Sequence, residues 1–118
     1  ENTHSDYRYT DFKHMIQHIS DTMKFQESKS LAAHVQHSLY NNVNRLNNNT
    51  ADHGIKPGPF VVLLGLEAPS ILTEVANLSN IAEEKRLKSN SYRDKIAKFL
   101  EKGIVNYLNN NTAYAELR

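Results

Sequence analysis

The sequence predicts an α/β chain in which about four helices flank two core strands, too few to make a sheet of their own. Three observations predict it. Apolar residues recur at three- and four-residue spacing towards both ends of the chain, a helical period. Between them the uninterrupted run Phe60, Val61, Val62, Leu63, Leu64 is too short for a buried helix and rich in β-branched residues. An isolated strand pair is marginal in water, so such a run wants neighbours on both sides, from an upstream half, another chain or self-association.

Each element follows in order. Phe12, Met15, Ile16, Ile19 and Met23 predict a first amphipathic helix over residues 10–25, with Thr10 or Asp11 as its cap. Leu31, Val35, Leu39, Val43 and Leu46 predict a second over about 27–45. The polar stretch 47–54 and the Pro57, Gly58, Pro59 bracket read as a loop leading into an extended segment. Residues 60–64 then read as one strand and 70–75 as another, with Glu74 an out-of-pattern carboxylate near its end. Asn77, Ser79 and Asn80 supply turn and cap chemistry for a short helix over 82–87, where Glu83 and Glu84 favour the N-terminal end of the helix dipole. A last helix starts near Ser91 on the stripe Tyr92, Ile96, Phe99, Leu100, Ile104, Tyr107, Leu108, interrupted by Gly103, and frays beyond Thr112.

Composition narrows the function. At 118 residues the chain is one domain at most, or part of one. Lys and Arg number 14 against 13 Asp and Glu, so no strong field draws in a polyanion. With no cysteine there is no disulfide, thiol nucleophile or thiolate metal site, and a metal would have to use His, Asp or Glu. No run is long and apolar enough to span a membrane, and the first residues lack the pattern of a signal peptide.

Glu74 is the sharpest chemical feature. A carboxylate at the carboxyl end of a buried strand sits where open α/β sheets bind ligands, and partial desolvation there would raise its pKa towards a general base. The alternative is an exposed carboxylate at a strand end. His14 and His18, four apart, share a helix face, but HMIQH lacks the glutamate of the HExxH pattern and reads as a solvated polar face. His34 and His37 read as helix surface, and His4 and His53 as loop residues. The scattered glycines form no phosphate cradle, no GxSxG occurs, and Lys85, Arg86, Lys88, Arg93, Lys95 and Lys98 interleave with acids as a solvated face.

Taken together in order, several pieces resemble one family. Gly54, Ile55 and Lys56 precede the 60–64 run; Pro69, Ser70, Ile71, Leu72, Thr73 and Glu74 resemble a Pro-x-Val/Ile-Leu-Val-Glu motif; Leu78, Ser79 and Asn80 resemble Phe/Ile-Ser-Asn. Glu83, Glu84 and Leu87 look like Glu-Glu-x-x-Leu, and upstream Ser28, Leu31 and Ala32 are similar to Ser-x-x-Leu-Ala. From about Gln26 to Leu108 the chain resembles the C-terminal half of the zinc-dependent N-acetylmuramoyl-L-alanine amidases, which cut the amide between muramic acid and the stem peptide. It departs from the pattern at Thr73 and at Ala76, Asn77.

The resemblance implies the C-terminal part of a mixed-sheet domain, with residues 1–118 one portion of a single catalytic domain and its remaining strands upstream. It implies that Glu74 is the catalytic glutamate, the general acid/base that carries a proton from a zinc-activated water to the leaving amine. It implies zinc as cofactor, held by two histidines and a glutamate upstream of residue 1, so that no ligand maps onto this chain. Peptidoglycan is the implied substrate, and the periplasm or extracellular cell envelope the implied location, as for autolysins and cell-division amidases. Residues 10–25 fall where some division amidases insert a helix that blocks the site until an activator protein binds; an ordinary surface helix is the equal alternative. Two other readings of the whole chain stand beside it: a non-catalytic, zinc-free amidase-like module that binds peptidoglycan or regulates a partner, and a purely helical interaction protein whose two apparent strands are misread.

Overall fold

The structure, a computed structural model, describes residues 3–115, with side chains described over 8–111. Among the described residues the regular structure is three α-helices, α1 (Thr3–Leu46), α2 (Ile81–Leu87) and α3 (Asn90–Ala115), and one 3₁₀ turn. Neither glycine nor proline occurs from Thr3 to Leu46, so nothing interrupts the backbone ladder, and the two helices expected over 10–25 and 27–45 are one helix of 44 residues. At about 1.5 Å per residue such a helix measures roughly 66 Å. It therefore sets the longest dimension of the molecule, 70 Å. The radius of gyration, 19.7 Å, accordingly exceeds the ~13 Å of a compact chain of this size.

The α/β expectation is overturned. Among the described residues there is no β-strand: Val61–Leu63 form a single 3₁₀ turn, and residues 69–77 are irregular. A strand draws its stability from ladder hydrogen bonds to a neighbour. Here neither run meets one, and Val61, Val62 and Leu64 stay largely exposed. The apolar content of 60–64 is legible in the sequence; the pairing that would make it a strand is not present among these residues.

The core is the antiparallel crossing of α1 and α3. Gly103 is buried at its centre, where a Cβ would lie 2.7 Å from the Val35 Cα and 3.1 Å from the His34 carbonyl oxygen. The glycine that interrupts the apolar stripe of the last helix is thus what lets the two backbones approach. One turn along, the buried Ser38 hydroxyl donates to the Phe99 carbonyl at 2.7 Å. On the other side of Gly103, His34 meets Tyr107 edge to face at 6.0 Å between ring centroids. Moving up α1 from 34 to 38 moves down α3 from 107 to 99, which defines the antiparallel sense. Burial raises the pKa of the Tyr107 phenol, the Glu27 carboxylate adds to that, and a hydrogen bond with Asn111 opposes it.

The connection from Asn47 to Asn80 lies along α1 and is held by side chains. Asp52 accepts from the Gly54 N–H at 2.8 Å and from Gln36 of α1. Those two bonds, the Gly54 one foremost, lower the Asp52 pKa. Gly54 and Gly65 adopt the left-handed φ values of 67° and 74° that the turns require. Lys24 of α1 donates to the Leu66 carbonyl, and Ser28 accepts from the Ser70 N–H at 2.9 Å. No described helix is long and apolar enough to cross a membrane.

Candidate functional site

Asn80 caps α2 as its residue type predicts: its Oδ1 accepts from the Ala82 and Glu83 N–H groups at 3.0 and 3.2 Å. Glu83, three residues on, reaches back in the manner of a capping box, but to the Asn77 N–H, at 2.6 Å. It goes past the cap residue because the Asn80 N–H already donates to the Asn77 carbonyl at 3.0 Å. Asn77 Oδ1 accepts in turn from the Ser79 N–H and hydroxyl at 3.0 and 2.7 Å. The far end of α2 is closed by Arg93, which donates to the Leu87 carbonyl at 2.6 Å and also to Asn90. Lys88 pairs with Glu84 at 2.6 Å on the exposed face.

Glu74 lies three residues before Asn77 and four after Ser70, in an irregular segment with its side chain exposed. The sequence places it at the end of a buried strand, and that premise does not hold: no strand forms among the described residues, and the Glu74 side chain is exposed. What the arrangement offers is a solvent-facing carboxylate on the long irregular connection between α1 and α2. Such a group can accept and return a proton at a substrate brought against it.

The histidines separate differently from the sequence expectation. His14 and His18 are exposed on α1, as expected, and His37 and His53 are exposed too. His4 falls within α1 rather than a loop, its side chain outside the described residues. His34, expected at the surface, is half-buried between the helices, its Nδ1 2.8 Å from the Ser30 carbonyl and its Nε2 2.7 Å from the Asn110 amide nitrogen. Since a carbonyl only accepts, Nδ1 carries the hydrogen and Nε2 receives the Asn110 N–H, leaving no lone pair for a metal. Its signal is the three-residue offset from Leu31, which puts both on the packed face of α1.

Zinc, the metal implied by the resemblance, does not fit the residues present: among those described, no three His, Asp or Glu side chains come together to hold an ion. The reach of Ser28 to Ser70 and of Glu83 to Asn77 is also absent from the sequence expectation. The Asn80-x-x-Glu83 spacing is the available signal for the second.

A family model described as N-acetylmuramoyl-L-alanine amidase matches residues 5–106. The chain belongs to that family. It is 34% identical to the N-acetylmuramoyl-L-alanine amidase LytC of Bacillus subtilis over 73% of this chain and 16% of that protein. It is 35% identical to the amidase AmiC of Neisseria meningitidis over 77% of this chain and 21% of that protein. It is 28% identical to the amidase AmiA of Escherichia coli over 92% of this chain and 38% of that protein. The chain thus spans well under half the length of these curated relatives. No solved structure matches it.

Proposed function

We propose that this chain serves peptidoglycan amide hydrolysis, the cleavage between N-acetylmuramic acid and L-alanine of the stem peptide, with Glu74 as its general acid/base. The observation that carries the reading is the family match over residues 5–106, which includes Glu74 and the capped segment behind it. The exposed carboxylate would accept a proton from the attacking water and return it to the departing alanine nitrogen, so that the C–N bond breaks with a neutral amine leaving. The reading assigns no zinc ligand to this chain. It treats residues 1–118 as one portion of a catalytic domain acting at the cell envelope.

The same reading assigns residues 10–25 to regulation. Its support is the stripe of Phe12, Met15, Ile16, Ile19 and Met23, each more than half exposed, a surface suited to an activator protein. Muropeptide cleavage followed by product mass tests the catalytic role. Glu74→Gln is expected to lower the rate about 100-fold or more while binding to peptidoglycan persists. Cleavage by Glu74→Gln at the unmodified rate would overturn the role of Glu74. Binding by the unmodified protein with no cleavage would favour the zinc-free binding module instead.

A further inference from the structure

Among the described histidine rings, His14 and His18 form the pair whose nitrogens are open to a ligand. His34 has both nitrogens engaged, and the His37 ring meets the Asn41 side-chain amide at 2.9 Å. His53 has no second histidine at ligand spacing. His14 and His18 are both exposed on α1, and neither ring has a hydrogen-bond or ion-pair partner among the described residues. They stand four residues apart on a helix that no glycine or proline interrupts, so their Cβ atoms lie about 5–6 Å from each other on one face. Each neutral imidazole keeps one nitrogen lone pair. Rotation about χ1 and χ2 lets both reach one ion at the metal–nitrogen distance of about 2.0–2.1 Å.

We infer that His14 and His18 form a two-imidazole chelate for a first-row divalent ion that prefers nitrogen ligands, copper(II) foremost and nickel(II) or zinc(II) after it. Magnesium and calcium want oxygen donors and do not suit the pair. The glutamate missing from HMIQH removes the base of the HExxH pattern and leaves its chelate. Asp11, three residues before His14, and Asp21, three after His18, put a carboxylate on the same face at either end, with Asp21 accepting from Gln17 at 3.0 Å. Lys13 lies about 100° round the helix from His14. Because no three His, Asp or Glu side chains converge among the described residues, the chain supplies two ligands and water fills the other positions. The site is therefore different in kind from a three-ligand catalytic zinc centre, and it does not rest on the role of Glu74. Phe12 and Ile16, two residues to either side of His14, lie about 160° round the helix from it, so a partner that covers the apolar stripe leaves the histidine face open. An ion that binds the helical pair and not the unfolded chain ties one turn of α1 to the next and strengthens that part of the helix.

Copper(II) itself is the probe. Electron paramagnetic resonance of the whole chain with one equivalent of copper(II) is expected to show two nitrogen ligands, and a copper titration gives the dissociation constant. His14→Ala and His18→Ala both introduce a good helix former, so circular dichroism should show the helix content unchanged. Each should weaken copper binding about tenfold or more, since even the outer partners of a metal ligand are worth that much. His37→Ala should leave binding as it is. Adding Ser20→His to His18→Ala keeps the number of histidines but sets the second ring about 120° round the helix, and it should not recover the chelate. Unchanged binding in either His14→Ala or His18→Ala overturns the inference. So does recovery through Ser20→His or an equal loss in His37→Ala, either of which would mark diffuse binding to surface histidines. The readout is metal binding and not cleavage, so its failure is separate from a failure of Glu74 in the Glu74→Gln assay.

Discussion

In the N-terminal half of α1, Phe12, Ile16 and Ile19 stand 60%, 52% and 51% exposed, whereas further along the same helix Val35 and Ser38 are each 3% exposed. Both halves carry apolar residues at three- and four-residue spacing, and both are helical without interruption. What separates them is α3, which lies against the second half and brings Gly103 to the contact. Periodicity therefore encodes a face but not its partner. A stripe becomes core only where another element comes close enough to exclude water, and backbone approach there depends on one position having no side chain.

The largest effect that would break this contrast is expected at Gly103. Gly103→Ala places a methyl 2.7 Å from the Val35 Cα, and because backbone must yield, a loss of about 3 kcal/mol is expected in urea unfolding followed by circular dichroism. Adding Val35→Ala should not rescue it, since the clash is with main-chain atoms; rescue would mean that the Val35 side chain sets the spacing instead. Next comes Ser38→Ala, which removes the bond to the Phe99 carbonyl but leaves that carbonyl in the α3 ladder, so about 1 kcal/mol should be lost.

Alkali should sharpen the same contrast through Tyr107. Below about pH 10 the phenol is protonated in both folded and unfolded chains and contributes no pH dependence. Above that the unfolded chain loses its proton first, because burial beside Glu27 raises the folded value, so stability falls as pH rises through that value. Tyr107→Phe should flatten the unfolding midpoint between about pH 9 and 12; an equal alkaline loss in that variant would place the titrating group elsewhere. The smallest effect belongs to the exposed apolar stripe of α1. Phe12→Ser and Ile16→Ser should each change stability by less than about 0.5 kcal/mol, and a larger loss would show that the stripe is covered in solution.

Much of the helical part is legible in the sequence. The start of α2 is readable because Asn80 carries its own cap chemistry, and the stripe of α3 because Ile96 and Tyr107 keep the helical beat that buries them. Two boundaries are not. The apolar register shifts near Gln26 and suggests a join between two helices, yet a register shift costs the backbone nothing without a glycine or proline to break the ladder. The run 60–64 has the composition of a strand, yet strand is a relation between two segments and no pairing segment accompanies it here. For the candidate site, Glu74 is legible through the motif around it. Its exposure is not, because that depends on what packs over the segment.

The sequence by itself determined the helical stripes, the cap of α2, the turn that ends at Gly54, and the motif that places the chain among the amidases. These are local properties, written in backbone propensity and in hydrogen bonds between residues a few positions apart. Only the tertiary structure decided which stripe is buried, that Gly103 is a crossing point and not a break, that His34 is an interhelical residue, and that Ser28 accepts the Ser70 N–H from across the chain. Each of these depends on groups brought together by the packing of whole elements, and local spacing carries no record of which groups will meet.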